Sequence, residues 1–308
     1  MRACIDIGGT KVSVSLNDPA RPLELLARRH EPTAHTGTSE AVALQCIRMV
    51  AEACAELRID PAQVQQVGVA APGPFVLCDG RIELATPNIC GGLPGSHGRL
   101  PNDWGTAPLE APLLRRFARV RIENDAVAAL EAERRWGALQ GASHCAYVTW
   151  STGVGCGLCV DGRVLHGKQG NAGHLGHSFA SDDAHAVCGC GNVGDIEALV
   201  GGYALERRLG APAHALFARA GQGDAQALAT VDELCRVMGR ALHNITAVLD
   251  LERISLGGAV FLNNQTLLLP RLAAQLKSRL PSLTAGCELL PAGLGLRVGD
   301  FGAVALLD

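Results

Sequence analysis

No block of basic residues occurs anywhere in the 308 residues, and the formal net charge is only −3. A nucleic-acid partner or an anionic membrane surface is therefore not expected. No apolar run approaches the length needed to span a bilayer. A targeting segment is not expected either, because MRACIDIGGT runs straight into a strand-like stretch without a charged region ahead of a long apolar one. A disulfide scaffold is also disfavoured. The twelve cysteines are scattered through a long chain, and Cys4, Cys46, Cys54 and Cys159 sit among Ala, Val, Ile and Leu, where a free thiol behaves as a small hydrophobe. Only Cys188 and Cys190 lie close together amid glycines, where they look like ligands. A reducing cytoplasm is the expected compartment.

What is present is ample material for a core. Hydrophobic residues make up 48% and charged residues 19%, which argues against disorder. The length suggests two domains, or one large core split by a cleft. The chain opens with the apolar run Ala3-Cys4-Ile5, the turn Asp6-Ile7-Gly8-Gly9-Thr10 and a second strand from Val12 to Leu16. A helix opened by Thr38 or Ser39 should follow, with Ile47, Val50, Cys54 and Leu57 on one face. The strand Val67–Ala71 breaks at Pro72-Gly73-Pro74, and residues 86–108, rich in Gly, Pro and Asn, read as a long functional loop. Near residue 117 the pattern restarts. Val120-Arg121-Ile122 leads into Glu123-Asn124-Asp125-Ala126 and an alanine-rich helix. The strand Cys145–Trp150 ends at Ser151-Thr152-Gly153-Val154-Gly155, and a second strand follows at once. A helix is expected over 225–250, then a strand at 253–256 ending at Gly257-Gly258. The strand, glycine turn, strand arrangement at 3–16 thus recurs at 145–160. Two similar α/β halves would place both turns on one nucleotide.

Glycine turns let backbone N–H groups converge on an anion. Gly8, Gly9 and Thr10 would supply such donors in the first turn, and Thr152 and Gly153 in the second. Asp6 could hold Mg²⁺ directly or through water, and Lys11 is a counter-charge. Gly257 and Gly258 join this nucleotide set. Each turn taken alone could equally be a plain hairpin. Two other glycine patterns are rejected. Gly162 to Lys168 has the spacing of a Walker A loop, but Gln169 replaces the Mg²⁺-binding hydroxyl and no helix pattern follows. Gly153-Val154-Gly155-Cys156-Gly157 precedes a strand, where a dinucleotide fingerprint needs a helix.

Taken in order, Asp6-Ile7-Gly8-Gly9-Thr10-Lys11, Glu123-Asn124-Asp125-Ala126, Ser151-Thr152-Gly153-Val154-Gly155, Gly173-His174-Leu175-Gly176-His177 and Cys188-Gly189-Cys190-Gly191-Asn192-Val193-Gly194-Asp195-Ile196-Glu197 resemble the ROK family of sugar kinases and repressors. The resemblance covers nearly the whole chain. It implies an α/β, two-domain actin-like (ribonuclease H-like) sugar kinase fold with a central cleft, as a homodimer or homotetramer. The expected domains are a small one over 1–117, completed by a C-terminal helix at 298–308, and a larger one over 118–297. Family repressors carry a DNA-binding segment before the first glycine turn. Here that turn begins at residue 6, so a kinase using ATP and Mg²⁺ is expected. Asp125 resembles the family's catalytic base, which takes the proton from the sugar 6-hydroxyl; read alone, it could instead cap the helix beginning near Ala126. The resemblance places Gly73, Asn88, Asn124, Asp125, His174, His177 and Glu197 around the sugar. For Asn88, a turn-forming role is equally open.

Two departures from the family pattern bear on chemistry. Family members commonly hold a structural zinc with one His and three Cys. Here His177, Cys188 and Cys190 occupy three positions, and Asp195 stands where the third Cys is usual. A carboxylate oxygen can ligate zinc, so a His-Cys-Cys-Asp site is expected, against the alternative of a metal-free loop with two thiols. Glucose-using members usually have Glu at the position of His174. A His there, like the stretch Phe217 to Asp224, resembles bacterial N-acetylmannosamine kinases, whereas Asp161 to Gly173 looks more like glucokinases and hexokinases. The substrate class is therefore a hexose or N-acylhexosamine: glucose, ManNAc or GlcNAc. The competing reading is a catalytically weak sugar-binding or regulatory protein.

Overall fold

The computed structural model describes residues 1–96 and 100–307. His97, Gly98 and Arg99 of the 86–108 loop, and Asp308 of the expected C-terminal segment, lie outside the described residues. The chain divides into two compact units. One comprises 1–132, 166–171 and the residues from 299 onward; the other comprises 133–165 and 172–298.

In the first unit β1 (Arg2–Ile7), β2 (Lys11–Asn17), β3 (Leu25–Pro32), β4 (Gln66–Ala71) and β8 (Arg119–Asn124) form one sheet, in the order β3-β2-β1-β4-β8. A smaller sheet holds β5 (Phe75–Cys78), β6 (Arg81–Leu84) and β7 (Ala107–Pro108). β1 pairs antiparallel with β2 and parallel with β4. Ala3, Cys4 and Ile5 are consecutive and all buried, as a central strand covered on both faces requires. The helix α1 (Ala41–Glu56) presents Cys46, Val50 and Cys54 to this core, and Met49 joins them. It begins later than Thr38 or Ser39. Glu40 occupies the cap position without a side-chain bond, and the Thr38 carbonyl accepts from Ala41 N–H. The short α2 (Glu110–Leu114) precedes β8, and α3 (Asp125–Trp136) follows it. The first unit runs to residue 132 rather than 117 because β8 pairs with β4 from Gln66–Arg119 to Ala71–Asn124, which ties that strand into the first sheet.

In the second unit β9 (Cys145–Trp150), β10 (Val154–Val160), β11 (Arg163–Val164), β12 (Arg253–Gly257) and β13 (Glu288–Pro291) form a sheet in the order β11-β10-β9-β12-β13. β9 pairs antiparallel with β10 and parallel with β12. The strand order and directions repeat those of the first sheet. Its helices are α4 (Ile196–Val200), α5 (Gly202–Leu209), α6 (Ala213–Gly221), α7 (Ala225–Leu249), α8 (Ala259–Leu262), α9 (Gln265–Lys277) and α10 (Pro281–Thr284). The long α7 starts where Asp224 accepts from Ala227 N–H at 2.9 Å and ends at Asp250 in the left-handed region. Its buried stripe of Val231, Leu234, Cys235, Met238 and Leu242 faces the core. A fully buried carboxylate, Glu133, accepts from Ala138 N, Gly293 N, Leu294 N and Ser255 Oγ at 2.8–3.1 Å.

Candidate active site

The first glycine turn is the link between β1 and β2, whose last pair is Ile7 with Val12. Gly8 N–H donates to the Lys11 carbonyl at 2.8 Å, so it closes the turn and is not available to an anion. The amides of Gly9 and Thr10 remain as candidate donors. The turn is pinned from outside, where Thr33 Oγ1 donates to Gly8 O at 2.7 Å and His35 Nε2 meets Gly9 O at 3.1 Å. Asn88 packs on it: a side chain at Gly9 would begin 2.8 Å from Asn88 Cβ. Asn88 is exposed, and its amide makes no hydrogen bond with the described residues. The turn at Asn88 is instead closed by Ile89 and Cys90 N–H on the Thr86 carbonyl, so the turn itself does not need the asparagine.

Asp6 lies one residue before the end of β1, its carboxyl pushed up to about 7, chiefly by burial and then by the charges of Asp125 and Asp300. Lys11 and Arg28 pull it the other way. A carboxyl crowded by two others fits a site that gains a divalent cation with its nucleotide. Asp125 occupies the first turn of α3, so it is not the cap. Ala126 N–H is shared at the helix start, accepted by Asn124 Oδ1 at 3.0 Å and by Asp125 Oδ1 at 2.8 Å. Asp125 is exposed while Asn124 is buried. Gly73 lies in the turn after β4, where Asn171 bonds both the N–H and the C=O of Phe75 at 2.7 and 2.8 Å.

In the second unit the turn 151–153 joins β9 and β10, with Trp150 opposite Val154. Ser151 N–H donates to Gly153 O at 2.9 Å, and the carbonyls of Ser151 and Thr152 accept from Gly202 and Tyr203. Thr152 is exposed. A Cβ at Gly153 would lie 2.4 Å from Glu197 Oε2 and would displace that carboxylate. That same oxygen accepts from Val154 N–H at 2.9 Å, so Glu197 sits directly beneath the turn. Gly258, at φ 84°, lies against Trp150, whose backbone would be 2.4–2.6 Å from any Cβ. Gly257 and Gly258 are thus packed onto the strand that leads into the second turn. No helix follows Gly162–Lys168, which spans the short β11 and a bend.

One loop gathers the expected metal ligands. His177 Nδ1 is 3.1 Å from Asp195 Oδ2, 3.6 Å from Cys190 Sγ and 3.9 Å from Cys188 Sγ, and Cys190 Sγ is 3.8 Å from Asp195 Oδ2. A tetrahedral zinc with bonds of about 2.0–2.3 Å requires ligand-to-ligand edges of about 3.3–3.8 Å. The four measured edges lie within about 0.2 Å of that range and all four ligand atoms within 4.8 Å of one another, so residues of the right kind are nearly in place for that ion. The hydrogen bond to Asp195 raises His177 above the usual imidazole range against the effect of burial. Burial pushes Asp195 up, but His177, Ala198 N–H and Cys188 together hold it below the usual carboxylate range. Burial drives the Cys188 thiol far upward, and Cys188 Sγ also contacts Glu197 Oε1 at 3.4 Å. A cation here would favour the thiolate that burial opposes. The His174 and His177 rings stack with centroids 5.8 Å apart. Burial, then His177, hold His174 below its ordinary range, and its Nε2 is buried without a partner.

Sequence reasoning missed Asp300, Asn171 and His35. Asp300 pairs with Arg28 at 2.5 Å and raises Asp6, yet it is separated from both by most of the chain. No local motif marks it.

The ROK family model matches residues 2–308. The chain is 32% identical to a glucokinase from Aeropyrum pernix, over 98% of this chain and 95% of that protein. It is 35% identical to an N-acetylmannosamine kinase from Salmonella typhi, over 83% and 82%. Among solved structures, a ROK family glucokinase from Streptomyces griseus in complex with glucose and AMPPNP has a TM-score of 0.70 at 26% identity, covering 99% of this chain and 98% of that one.

Proposed function

This chain belongs to the ROK family and is an ATP-dependent sugar kinase of the actin-like two-domain fold, and from that premise we propose that it phosphorylates the 6-hydroxyl of a hexose or N-acylhexosamine. Asp125 is the base. The observation that carries this reading is an exposed carboxylate in the first turn of α3, close enough to Asp6 for its charge to raise that carboxyl.

Phosphoryl transfer needs in-line positioning, charge neutralisation and a proton acceptor. The sugar oxygen attacks the γ-phosphorus, its proton passes to the Asp125 carboxylate, and ADP leaves. The Gly9 and Thr10 amides and the Lys11 charge would serve the phosphates, and Thr152, Gly153, Gly257 and Gly258 the nucleotide. Mg²⁺ brought with ATP neutralises phosphate charge, and Asp6 would hold it. Gly73, Asn88, Asn124, His174, His177 and Glu197 would read the sugar hydroxyls. With Nδ1 turned to Cys190 and Asp195, His177 offers Nε2 to the sugar, and a zinc held by these residues would fix the ring's orientation. Glucose and ManNAc are the leading substrates, supported by the two named relatives.

The test is Asp125→Asn. Turnover, followed by ADP release with glucose, mannose, GlcNAc and ManNAc, should fall by about 10²–10⁴-fold, with the sugar Kd changed less than about threefold. Near-normal kcat removes Asp125 from the mechanism. Wild-type binding of a sugar without turnover of any of the four would favour a regulatory protein.

A further inference from the structure

The second unit carries a cavity of about 560 Å³ lined by Phe179, Ala180, Ile196, Arg240, Ala241, His243, Asn244, Arg279 and Leu280. Its titratable residues, Arg240, His243 and Arg279, are all basic, in a chain whose net charge is −3. None of the lining residues is acidic. Arg279 Nη2 reaches Gln275 Oε1 at 3.3 Å, but its Nε is buried with no acceptor, as is His243 Nδ1. Arg240 is exposed and makes no hydrogen bond or ion pair with the described residues. Phe179 and Leu280, at 69% and 60% exposure, add an apolar rim. Convergent cationic donors beside an apolar wall are the chemistry that takes a phosphate group on a small organic body.

We propose that this cavity is an anion site, separate from the residues assigned to transfer, which binds a phosphate-bearing small metabolite and adjusts sugar binding. The coupling, which rests on the kinase reading, runs through the backbone. Phe179 bridges to Asp195, Ala180 N–H bonds Gly194 O at 2.9 Å, and Ile196 N–H bonds Ser178 O at 3.0 Å. One wall of the cavity is therefore the loop that holds His177, Asp195 and Glu197, and a ligand pressing on Phe179 or Ile196 acts on those residues.

Binding is read at the site itself, from the ring resonances of His243 in the full chain, assigned with His243→Gln. Inorganic phosphate and glucose 6-phosphate are titrated separately. Both should give saturable shifts; tighter binding of the ester assigns an organic ligand and equal binding the free anion. Arg240→Ala should weaken the affinity at least about tenfold, with partial recovery in Arg240→Lys, as expected for a phosphate contact. The sugar KM should respond to phosphate in the wild type and not in Arg240→Ala. Failure of the kinase reading would remove only this last readout, leaving the His243 titration intact. The proposal is overturned by an absent or non-saturable shift, or by one unchanged in Arg240→Ala. It is equally overturned if no phosphate titrates and Arg240→Ala alters the sedimentation mass, which would assign the face to contact between copies.

Discussion

Asp195 divides its two oxygens between different tasks. Oδ1 accepts from Ala198 N–H at 2.7 Å and starts α4, while Oδ2 faces His177 and Cys190. Asn is as good a cap as Asp but a poor zinc ligand, so the roles are separable. In Asp195→Asn, bound zinc, about one per chain by elemental analysis in the wild type, should fall in affinity more than about tenfold. The metal-free proteins should unfold within about 0.5 kcal/mol of each other in urea. A second expectation concerns Asp6, raised from 3.8 to about 7. Between those values the folded chain keeps a proton that the unfolded chain has released. Stability without divalent cations therefore falls as pH rises from about 4 to about 7, by at most about 4 kcal/mol, and is level above. Asp6→Asn should flatten that slope in denaturant melts run across this range. The cluster of candidate metal ligands was legible because His177, Cys188, Cys190 and Asp195 are close in sequence; Asp300 was not, because what places it beside Asp6 is the packing of the helix Val298–Ala305.

At the scale of elements, the two glycine hairpins were legible because a strand, a tight turn and a returning strand are short-range features with a period of two. The opening of α1 was read up to two residues early: Thr38 serves through its carbonyl rather than its hydroxyl, a distinction that side-chain chemistry does not report. Glu133 escaped notice altogether. Its four donors come from residues 138, 255, 293 and 294, and only folding assembles them. Replacing it with Ala would leave buried N–H groups unpaired and should lower unfolding stability by about 3–5 kcal/mol. A loss under about 1 kcal/mol, measured by urea denaturation, would show that water takes over those bonds.

At the scale of the whole molecule, each unit builds the same five-strand order from different residues, which is why the repeat could be seen in pattern but not in identity. The family resemblance leads us to expect a homodimer or homotetramer, which light scattering on the eluted protein would register as two or four times the chain mass. None of the twelve cysteines is in a disulfide, and Cys78 is the exposed one, with Cys190 half-covered. Burial pushes Cys46, Cys145 and Cys235 up to about 12, far from a reactive thiolate at neutral pH. Alkylation with a maleimide therefore becomes a gauge of metal occupancy. The zinc-loaded protein should take up one adduct, at Cys78, and the chelator-stripped protein a second, at Cys190, so that intact mass alone distinguishes the two forms.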